Sequence, residues 1–478
     1  VLLGAAGGAV GVVLATVGVR LLVAAEAARL PRLDEVTIDG ITLLFAAGIS
    51  VIAGLALGAL PLPRFLRASF DTVLRVGGSD TGSRQRHGTR KVLIAGQVAL
   101  ALVLLTGSGL MVRSLQRLNQ VDPGFRPENV LTVGVSLGEH DSPQEAALFY
   151  QRVVDEVAGL PGVTAAGASK SLPILMVSLW GSSFDVQSHP NTDDAVGPTV
   201  MHTVATPGFL EALGIPLVRG RAIERRDQET AAHVVWVNET FARRFLGDDP
   251  IGEQIQLGED SPWLDVVGVV GDVRFFGLDA DIRPMAYRPM MTSSNDADLS
   301  LMMLALRTTG DPAALAPAVR HAVAQIAPDV PLTTIRTMES VVDRSLAERS
   351  FTMTVLAIAA LVALLLGAVG LYGVISYVAS QRTREIGLRI ALGALPRQVR
   401  ARFVRQGLGV VAAGLVIGLA AALALTRLLD ALLFEVSATD PLSLIVAVAV
   451  LTAVSLLATY LPARRASSID PLEALRVE

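Results

Sequence analysis

Six stretches of this chain are long and apolar enough to cross a lipid bilayer, and they constrain its fold more than any other feature. A transmembrane helix needs about 20 mostly apolar residues. Hydrophobic residues make up 51% of the 478 positions and the mean hydropathy is +0.53, which is typical of a membrane protein rather than a soluble domain. The predicted spans are residues 1–23, 41–62, 92–112, 351–378, 406–427 and 442–461.

Arginine residues beside the spans predict their orientation. The loop 63–91 holds seven Lys or Arg against two acidic residues, and the loop 379–405 holds seven Arg against one Glu. The loops on the opposite side, 24–40 and 428–441, are acidic on balance. Because cytoplasmic loops carry the excess of positive charge, we expect both basic loops in the cytoplasm and residues 113–350 outside.

Sequence periodicity in the external segment predicts a folded α+β domain. Apolar residues alternate in predicted strands and recur at helical spacing between them. Two β–α–β units flank a β-rich insertion at 173–300, which predicts an α+β domain with two subdomains. The first unit has a strand at 130–137, a helix at 143–160 and a strand at 163–172, and the second has a strand at 301–308, a helix at 312–327 and a strand at 331–335.

The first two and last two spans indicate an internal repeat. At an offset of 407 residues Gly7 matches Gly414 and Gly11 matches Gly418, and at an offset of 401 Asp39 matches Asp440. We interpret the matches as a duplication. The chain is then expected to begin inside a first module, whose other two spans, external domain and basic loop would precede residue 1.

Small residues in the spans predict close helix packing, because they let two backbones approach each other in a membrane. The glycines spaced for such contacts are Gly7, Gly11, Gly54, Gly58, Gly414 and Gly418, and the spacing of Gly367, Gly370 and Gly373 suggests the same role.

The segment RTREIGLRIALGA at 382–394 lies between two apolar spans. On a helix its charged residues share one face and its apolar residues another. Gly387 and Gly393 permit close approach by a second backbone. The residues alone leave two roles open: an interfacial helix that only sets topology, or a docking element for a cytoplasmic protein.

No catalytic residue and no metal ligand is predicted. The chain has no cysteine, and its six histidines show no i, i+4 metal-binding spacing. The sequence contains no GxxxxGK[ST] pattern, and the Gly-rich residues 4–11 lack the Lys-Ser/Thr ending of such a loop. We therefore expect a protein that is not itself an enzyme, and no nucleic-acid partner.

Five stretches resemble the FtsX/MacB-type permease module of ABC transporters. They are REIGLRIALGA (384–394), PARRASSIDPLEALR (462–476), FLEALGIPLVRGRAI (209–223), VVWVNETFARRFLGDDPIGEQI (234–255) and VVGVVGDVRFFGL (266–278). The duplicated layout resembles the double-length permeases first noted in acidobacteria. The resemblance implies a polytopic α-helical membrane protein with a large α+β extracytoplasmic domain, similar to the MacB periplasmic core.

The resemblance also implies the domain organisation. The expected parts are the last two transmembrane helices of a first module (1–62), a basic cytoplasmic linker (63–91), a transmembrane helix (92–112), the periplasmic core domain (113–350), an FtsX-like domain of three transmembrane helices (351–461) and a cytoplasmic tail (462–478).

In that family, the segment 382–394 is a coupling helix that sits in a groove of a cytoplasmic ABC ATPase, which works as a pair. ATP and Mg²⁺ are then bound by the partner ATPase, and none is bound by this chain. The residues that the resemblance places in the coupling helix are Arg384, Glu385, Ile386, Gly387, Arg389, Ala391, Leu392, Gly393 and Ala394.

The implied function is that of a permease subunit in the bacterial inner membrane, surrounded by lipid. Motion driven by the ATPase would pass through the spans to the external domain, which would export or extract an amphiphilic substrate, with a periplasmic adaptor as a further partner. The alternative is a transmembrane signalling protein that switches a periplasmic partner such as a cell-wall hydrolase.

Overall fold

The computed structural model describes residues 2–26, 39–59, 81–138, 142–175, 180–188, 198–258, 261–293, 299–381, 395–425, 433–437 and 439–467. The chain divides into two compact units. We call Val1–Arg117 with Ala347–Glu478 the membrane unit, and Leu118–Leu346 the external unit.

The helices and strands are numbered in chain order. The described helices are α1 (Leu2–Glu26), α2 (Gly40–Ala59), α3 (Thr81–Leu118), α4 (Pro143–Ala158), α5 (Phe209–Leu213), α6 (Arg225–Glu229), α7 (Glu239–Phe241), α8 (Ala316–Ile326), α9 (Met338–Gln381), α10 (Pro396–Leu425) and α11 (Pro441–Ser467). A π-helix (Ala242–Leu246) continues α7, and short 3-10 helices occur at Met290–Thr292 and Pro312–Leu315. The strands are β1 (Val130–Ser136), β2 (Val163–Ser169), β3 (Trp180–Val186), β4 (Thr199–Ala205), β5 (Leu217–Gly220), β6 (Val234–Asn238), β7 (Gln254–Leu257), β8 (Trp263–Val270), β9 (Met285–Pro289), β10 (Leu301–Thr308) and β11 (Leu332–Thr337).

Four helices in the described part of the chain are long and apolar enough to cross a membrane. Their spans, in α3, α9, α10 and α11, coincide with the last four predicted spans; they are Lys91–Leu118, Ser350–Tyr377, Arg400–Leu425 and Pro441–Arg465. The apolar parts found in α1 and α2, Ala6–Gly18 and Gly40–Ile52, are shorter. The spans 1–23 and 41–62 therefore stay predictions, although both stretches are helical where described.

The apolar surface of the membrane unit suits a lipid environment. Along α9, the side chains of Leu361, Leu365, Leu366 and Val369 are all exposed in the protein alone. A helix forms its backbone hydrogen bonds internally. It can therefore expose these apolar side chains to hydrocarbon without leaving backbone N–H or C=O groups unpaired.

The first subdomain of the external unit is an antiparallel sheet with strand order β11-β1-β10-β2. Its central pair runs in register from Val130 opposite Arg307 to Ser136 opposite Leu301. The chain order β1-α4-β2 and β10-α8-β11 makes it a split β-α-β arrangement. Both predicted β–α–β units are confirmed, with shifts of a few residues at their ends.

Local signals in the sequence explain α4. The Ser142 hydroxyl accepts a hydrogen bond from the Glu145 N–H, and Pro143 occupies the first turn, where its missing N–H costs nothing. The buried face includes Tyr150, whose Oη donates to Val135 O at 3.0 Å. Burial raises the pKa of Tyr150. This hydrogen bond ties α4 to β1 below it.

The second subdomain is a closed barrel of six strands. The strands pair in the order β4-β3-β7-β8-β6-β9, and β9 returns to pair with β4 in parallel, from Met201 opposite Met285 to Ala205 opposite Pro289. Side chains such as Phe184, Phe241 and Ile255 fill the interior. The predicted β-rich insertion is therefore confirmed, and its closure into a barrel is a new finding.

A short junction joins the two subdomains. β2 and β4 share a single pair, Ser169 opposite Ala205. Beside it, Thr206 N donates to Ala168 O at 2.9 Å and Ala168 N donates to Thr206 Oγ1 at 2.7 Å. A common hydrophobic core contains Trp236 of the barrel and Met303 of the sheet. The two subdomains of this unit are thus packed together rather than joined by a linker alone.

Candidate functional site

The predicted coupling residues Arg384 to Ala394 lie outside the described residues, between the end of α9 at Gln381 and Leu395, just before α10. Their role stays a prediction. The described part of the chain shows the packing contacts among the neighbouring spans, and these contacts form the candidate site.

Two glycines of α10 lie against the backbone of α3. A Cβ atom added to Gly414 would lie 2.7 Å from Val98 Cβ and 2.8 Å from Ala95 O. One added to Gly418 would lie 2.8 Å from Ala99 Cα. Real Cβ atoms do not approach other atoms so closely, so any side chain here would push the helices apart. Gly414 and Gly418 therefore set the distance between α3 and α10.

Further close contacts join the other spans. A Cβ on Gly370 of α9 would lie 2.9 Å from Gln97 Oε1 of α3, and Gly407 of α10 faces Thr459 of α11. Gly370 is one of the glycines whose spacing suggested packing, whereas Gly407 is absent from that set. Glycine spacing alone missed Gly407 because a single glycine facing a threonine leaves no repeat.

The first two helices make their own contact. A Cβ on Gly8 of α1 would lie 2.7 Å from Ser50 Oγ of α2. Gly7 and Gly11 have no atom within 4 Å of such a Cβ. The close contact between α1 and α2 is thus made by Gly8. Gly7, the preceding residue, and Gly11 take no part in it. Gly54 and Gly58 lie within α2.

A polar cluster fastens the outer end of α3 to the segment that leads into α11; we call it the outer clasp. Arg113 forms an ion pair with Asp440, and the Phe434 N–H donates to Ser114 Oγ at 2.8 Å. Asp440 Oδ2 also accepts hydrogen bonds from Ser443 N and Oγ at 2.8 and 2.7 Å, which caps α11. Burial raises the pKa of Asp440, but the bonds from Arg113 and Ser443 outweigh it and hold the pKa below its usual range.

The same cap recurs at the matching position of the suggested repeat. Asp39 Oδ1 accepts hydrogen bonds from Thr42 N and Oγ1 at 2.8 and 2.6 Å, at the start of α2. Asp39 and Thr42 precede Asp440 and Ser443 by the offset of 401 residues that the sequence comparison used. The duplication remains a prediction, and this shared local geometry supports it.

At the inner end, Arg465 of α11 donates to Tyr372 Oη of α9 at 2.8 Å. The described spans carry their ionisable residues near the ends, such as Arg113 and Arg465, which can reach the interface. No group of acidic, histidine or cysteine side chains that could hold a metal ion occurs among the residues described.

Two protein families match the chain. The family described as MacB-like periplasmic core domain matches residues 92–322, and the family described as FtsX-like permease C-terminal matches residues 357–471. Together they cover α3 from residue 92, most of the external unit, α9 from residue 357, α10 and α11. The first match confirms that the external unit is an extracytoplasmic domain.

Curated relatives are export proteins. The macrolide export ATP-binding/permease protein MacB of Azoarcus sp. (strain BH72) is 25% identical over 81% of this chain and 56% of its own length. The pyoverdine export ATP-binding/permease protein PvdT of Pseudomonas syringae pv. tomato is 28% identical over 55% of this chain and 40% of its own length. The chain thus spans about half the length of the curated relatives it matches.

Among solved structures, the periplasmic region of MacB from Actinobacillus actinomycetemcomitans has 12% sequence identity and a TM-score of 0.32, covering 48% of this chain and 95% of that one. The extracellular domain of YknZ from Gram-positive bacteria has 11% identity and a TM-score of 0.29, covering 43% and 100%. The two family matches, the spans and the α+β external unit lead to one conclusion: this chain is a multi-pass inner-membrane protein that combines a MacB-like periplasmic core domain with an FtsX-like permease domain.

Proposed function

We propose that this chain converts ATP hydrolysis on a separate cytoplasmic ATPase into motion of its external unit. ATP and Mg²⁺ would be bound by the ATPase pair, and the segment 382–394 would dock on it. Motion would enter α9 and α10, which flank that segment, and pass to α3.

The contact of α10 with α3 at Gly414 and Gly418 carries this proposal. Backbones in direct contact cannot slide or separate without loss of packing, so a displacement of α10 must move α3 with it. The outer clasp adds a second link, from α3 to the start of α11. α9 is one helix of 44 residues and begins directly after β11, which supports its role as a rigid connection.

The work done outside the membrane is export or extraction of an amphiphilic compound. Relatives named for macrolide export and pyoverdine export support this class of substrate. The scarcity of ionisable residues in the central parts of the described spans supports mechanical action rather than a hydrophilic path through the membrane, since such paths are usually lined by ionisable groups. A periplasmic adaptor would then receive the substrate.

The same spans would equally serve the signalling alternative. Reconstitution with the ATPase in proteoliposomes distinguishes the two. ATP-dependent movement of an amphiphilic drug supports export, whereas activation of a cell-wall hydrolase without drug movement supports signalling.

The docking role is tested by Gly393→Trp in the full chain co-expressed with the ATPase. Bulk at a close contact should abolish co-purification of the ATPase. The matched control is Gly373→Trp on α9, because Gly373 has no atom within 4 Å of an added Cβ. Retention of the ATPase by Gly393→Trp, as by the control, would reject this docking site.

A further inference from the structure

Exposed apolar side chains of the external unit are concentrated at one place, the edge strand β5. Counting its described residues only, four large hydrophobic side chains are exposed: Leu148, Leu217, Val218 and Ile251. Leu217 and Val218 belong to β5 and are 39% and 45% exposed. A Cβ on Gly220 would lie 2.9 Å from Ile251 Cδ1, so Ile251 adjoins the same strand. Clustered apolar side chains at a surface mark binding sites more often than scattered ones do.

A cleft of about 280 Å³ opens beside these side chains; we call it the β5 cleft. Val218 forms one wall. Ala242, Pro250 and Val269, which are buried, provide its apolar lining. The opposite wall includes the π-helix, a distortion that occurs frequently at functional sites. The lining is mixed, with polar residues such as Glu239 and Arg243 beside the apolar ones, and a cleft of this size accommodates one or two side chains rather than a whole folded surface.

The backbone of β5 can accept another strand. β5 pairs with β8 on one side, and no other strand in the described chain pairs with it. The register shifts between Leu217 and Arg219, which leaves Val218 as the extra residue. All four residues of β5 are exposed. An exposed edge beside a side-chain cleft is the arrangement that proteins use to bind an extended peptide.

The guanidinium groups of Arg219 and Arg243 at the cleft have more N–H donors than their hydrogen bonds within the protein use. Arg219 Nη1 donates to Asp248 O at 2.8 Å, and Arg243 Nη2 donates to Thr240 Oγ1 at 3.2 Å. Arg243 Nη2 also lies 3.9 Å from Asp272 Oδ2, and the Arg243 side chain is 72% exposed. Since a guanidinium has five N–H donors, each group can also bind a carboxylate. The acidic residues Glu239 and Asp248 line the cleft as well, so a single acidic group fits better than a polyanion.

We propose that the β5 cleft binds an extended segment of an extracytoplasmic partner protein. The segment adds a strand to β5, inserts an apolar side chain between Val218 and Val269, and pairs one carboxylate with Arg219 or Arg243. This inference goes beyond the proposed function and is independent of the ATPase and of residues 382–394.

The test uses the full chain in lipid nanodiscs and a displayed library of short random peptides. The unmodified protein should enrich peptides that place an apolar residue next to an acidic one. Val218→Asp should weaken the best peptide by about tenfold or more, a loss of about 1.4 kcal/mol. Arg243→Glu should change the preferred charge from acidic to basic. Leu148→Asp on α4 is the matched control and should bind as the unmodified protein does.

Hydrogen exchange on the complex supplies the structural readout. Strand addition should slow exchange of the backbone amides at 217–220, with tryptophan fluorescence confirming that each variant is folded. The proposal is overturned if no peptide is enriched, if Val218→Asp binds as well as Leu148→Asp, or if peptides bind without protecting β5. Binding of a detergent-like amphiphile in place of any peptide would likewise overturn it.

Discussion

At the scale of single residues, Asp227 shows how a buried carboxylate is kept ionised. Its side chain accepts hydrogen bonds from Arg221 Nη1 and Nη2 at 2.5 and 3.0 Å, and from the Glu224 N–H at 2.8 Å. Burial raises the pKa of Asp227, but these bonds outweigh it and leave the pKa below its usual value. Asp227 thereby connects α6 to Arg221 and Glu224 in the chain segment between β5 and α6.

We expect Asp227→Asn to lower the free energy of unfolding of the external unit by about 2 kcal/mol at neutral pH, the range for a hydrogen bond to a charged group. Because the folded-state pKa is depressed, the contribution is present above the unfolded pKa near 3.8 and is lost as pH falls through the folded value. The variant should therefore lose less stability than the unmodified protein on acidification below pH 4.

Urea unfolding of the full chain, followed by tryptophan fluorescence, measures this. All three tryptophans belong to the external unit, and Trp236 Nε1 donates to Arg221 O at 3.0 Å. Asp249→Asn, at an exposed position, serves as the control. Equal pH dependence of the Asp227 variant and the unmodified protein would contradict the assignment.

Gly418 supports a second prediction at this scale. Gly418→Leu should separate α10 from α3, at a cost of about 1–3 kcal/mol for an overpacked contact, and should uncouple ATP hydrolysis from transport. The matched control is Gly409→Leu on the same helix, where an added Cβ has no atom within 4 Å. It should change neither the stability nor the coupling of ATP hydrolysis to transport. Thermal unfolding in detergent and ATPase activity with the partner are the measurements. Normal stability of Gly418→Leu would show that the helices tolerate separation there.

At the scale of elements, the outer clasp combines an ion pair with a helix cap. Asp440→Asn keeps an acceptor for Ser443 and removes only the charge that pairs with Arg113, whereas Asp440→Ala removes both. We expect the alanine variant to have the lower Tm, since a lost cap costs about 1 kcal/mol.

A double-mutant cycle with Arg113→Gln and Asp440→Asn isolates the ion pair. Residues in contact usually couple by about 0.5–3 kcal/mol. Additive effects of the two substitutions on unfolding in detergent would show that the pair makes no net contribution.

Periodicity predicted most elements, and its failures have physical causes. The strand at 301–308 is found at Leu301–Thr308, because alternation in a half-buried strand is a local property. The closing pair of the barrel, β4 with β9, joins residues about 80 positions apart, and nothing in either strand specifies that partner. Gly8 was missed for a similar reason: spacing marks a glycine-rich face, but only the neighbouring helix decides which glycine is used.

At the scale of the whole molecule, the absence of cysteine from the sequence permits a direct test of topology. Cys at Asp248 should react with a membrane-impermeant maleimide in intact cells, because the external unit lies outside. Cys at Arg384 or Arg400 should react only after the cells are opened. Gly220 is a poor labelling position, since its φ of +78° favours glycine. Labelling of Arg400→Cys in intact cells would reverse the orientation.

The six-stranded barrel also determines how the external unit responds to mechanical load. A sheet with two open edges can be peeled apart one strand at a time, starting at an edge. A ring in which each strand is bonded on both sides has no such starting point, so a pull on any strand is divided between two hydrogen-bonded ladders. The barrel would therefore move as a rigid body, and an applied force would displace it rather than unfold it strand by strand.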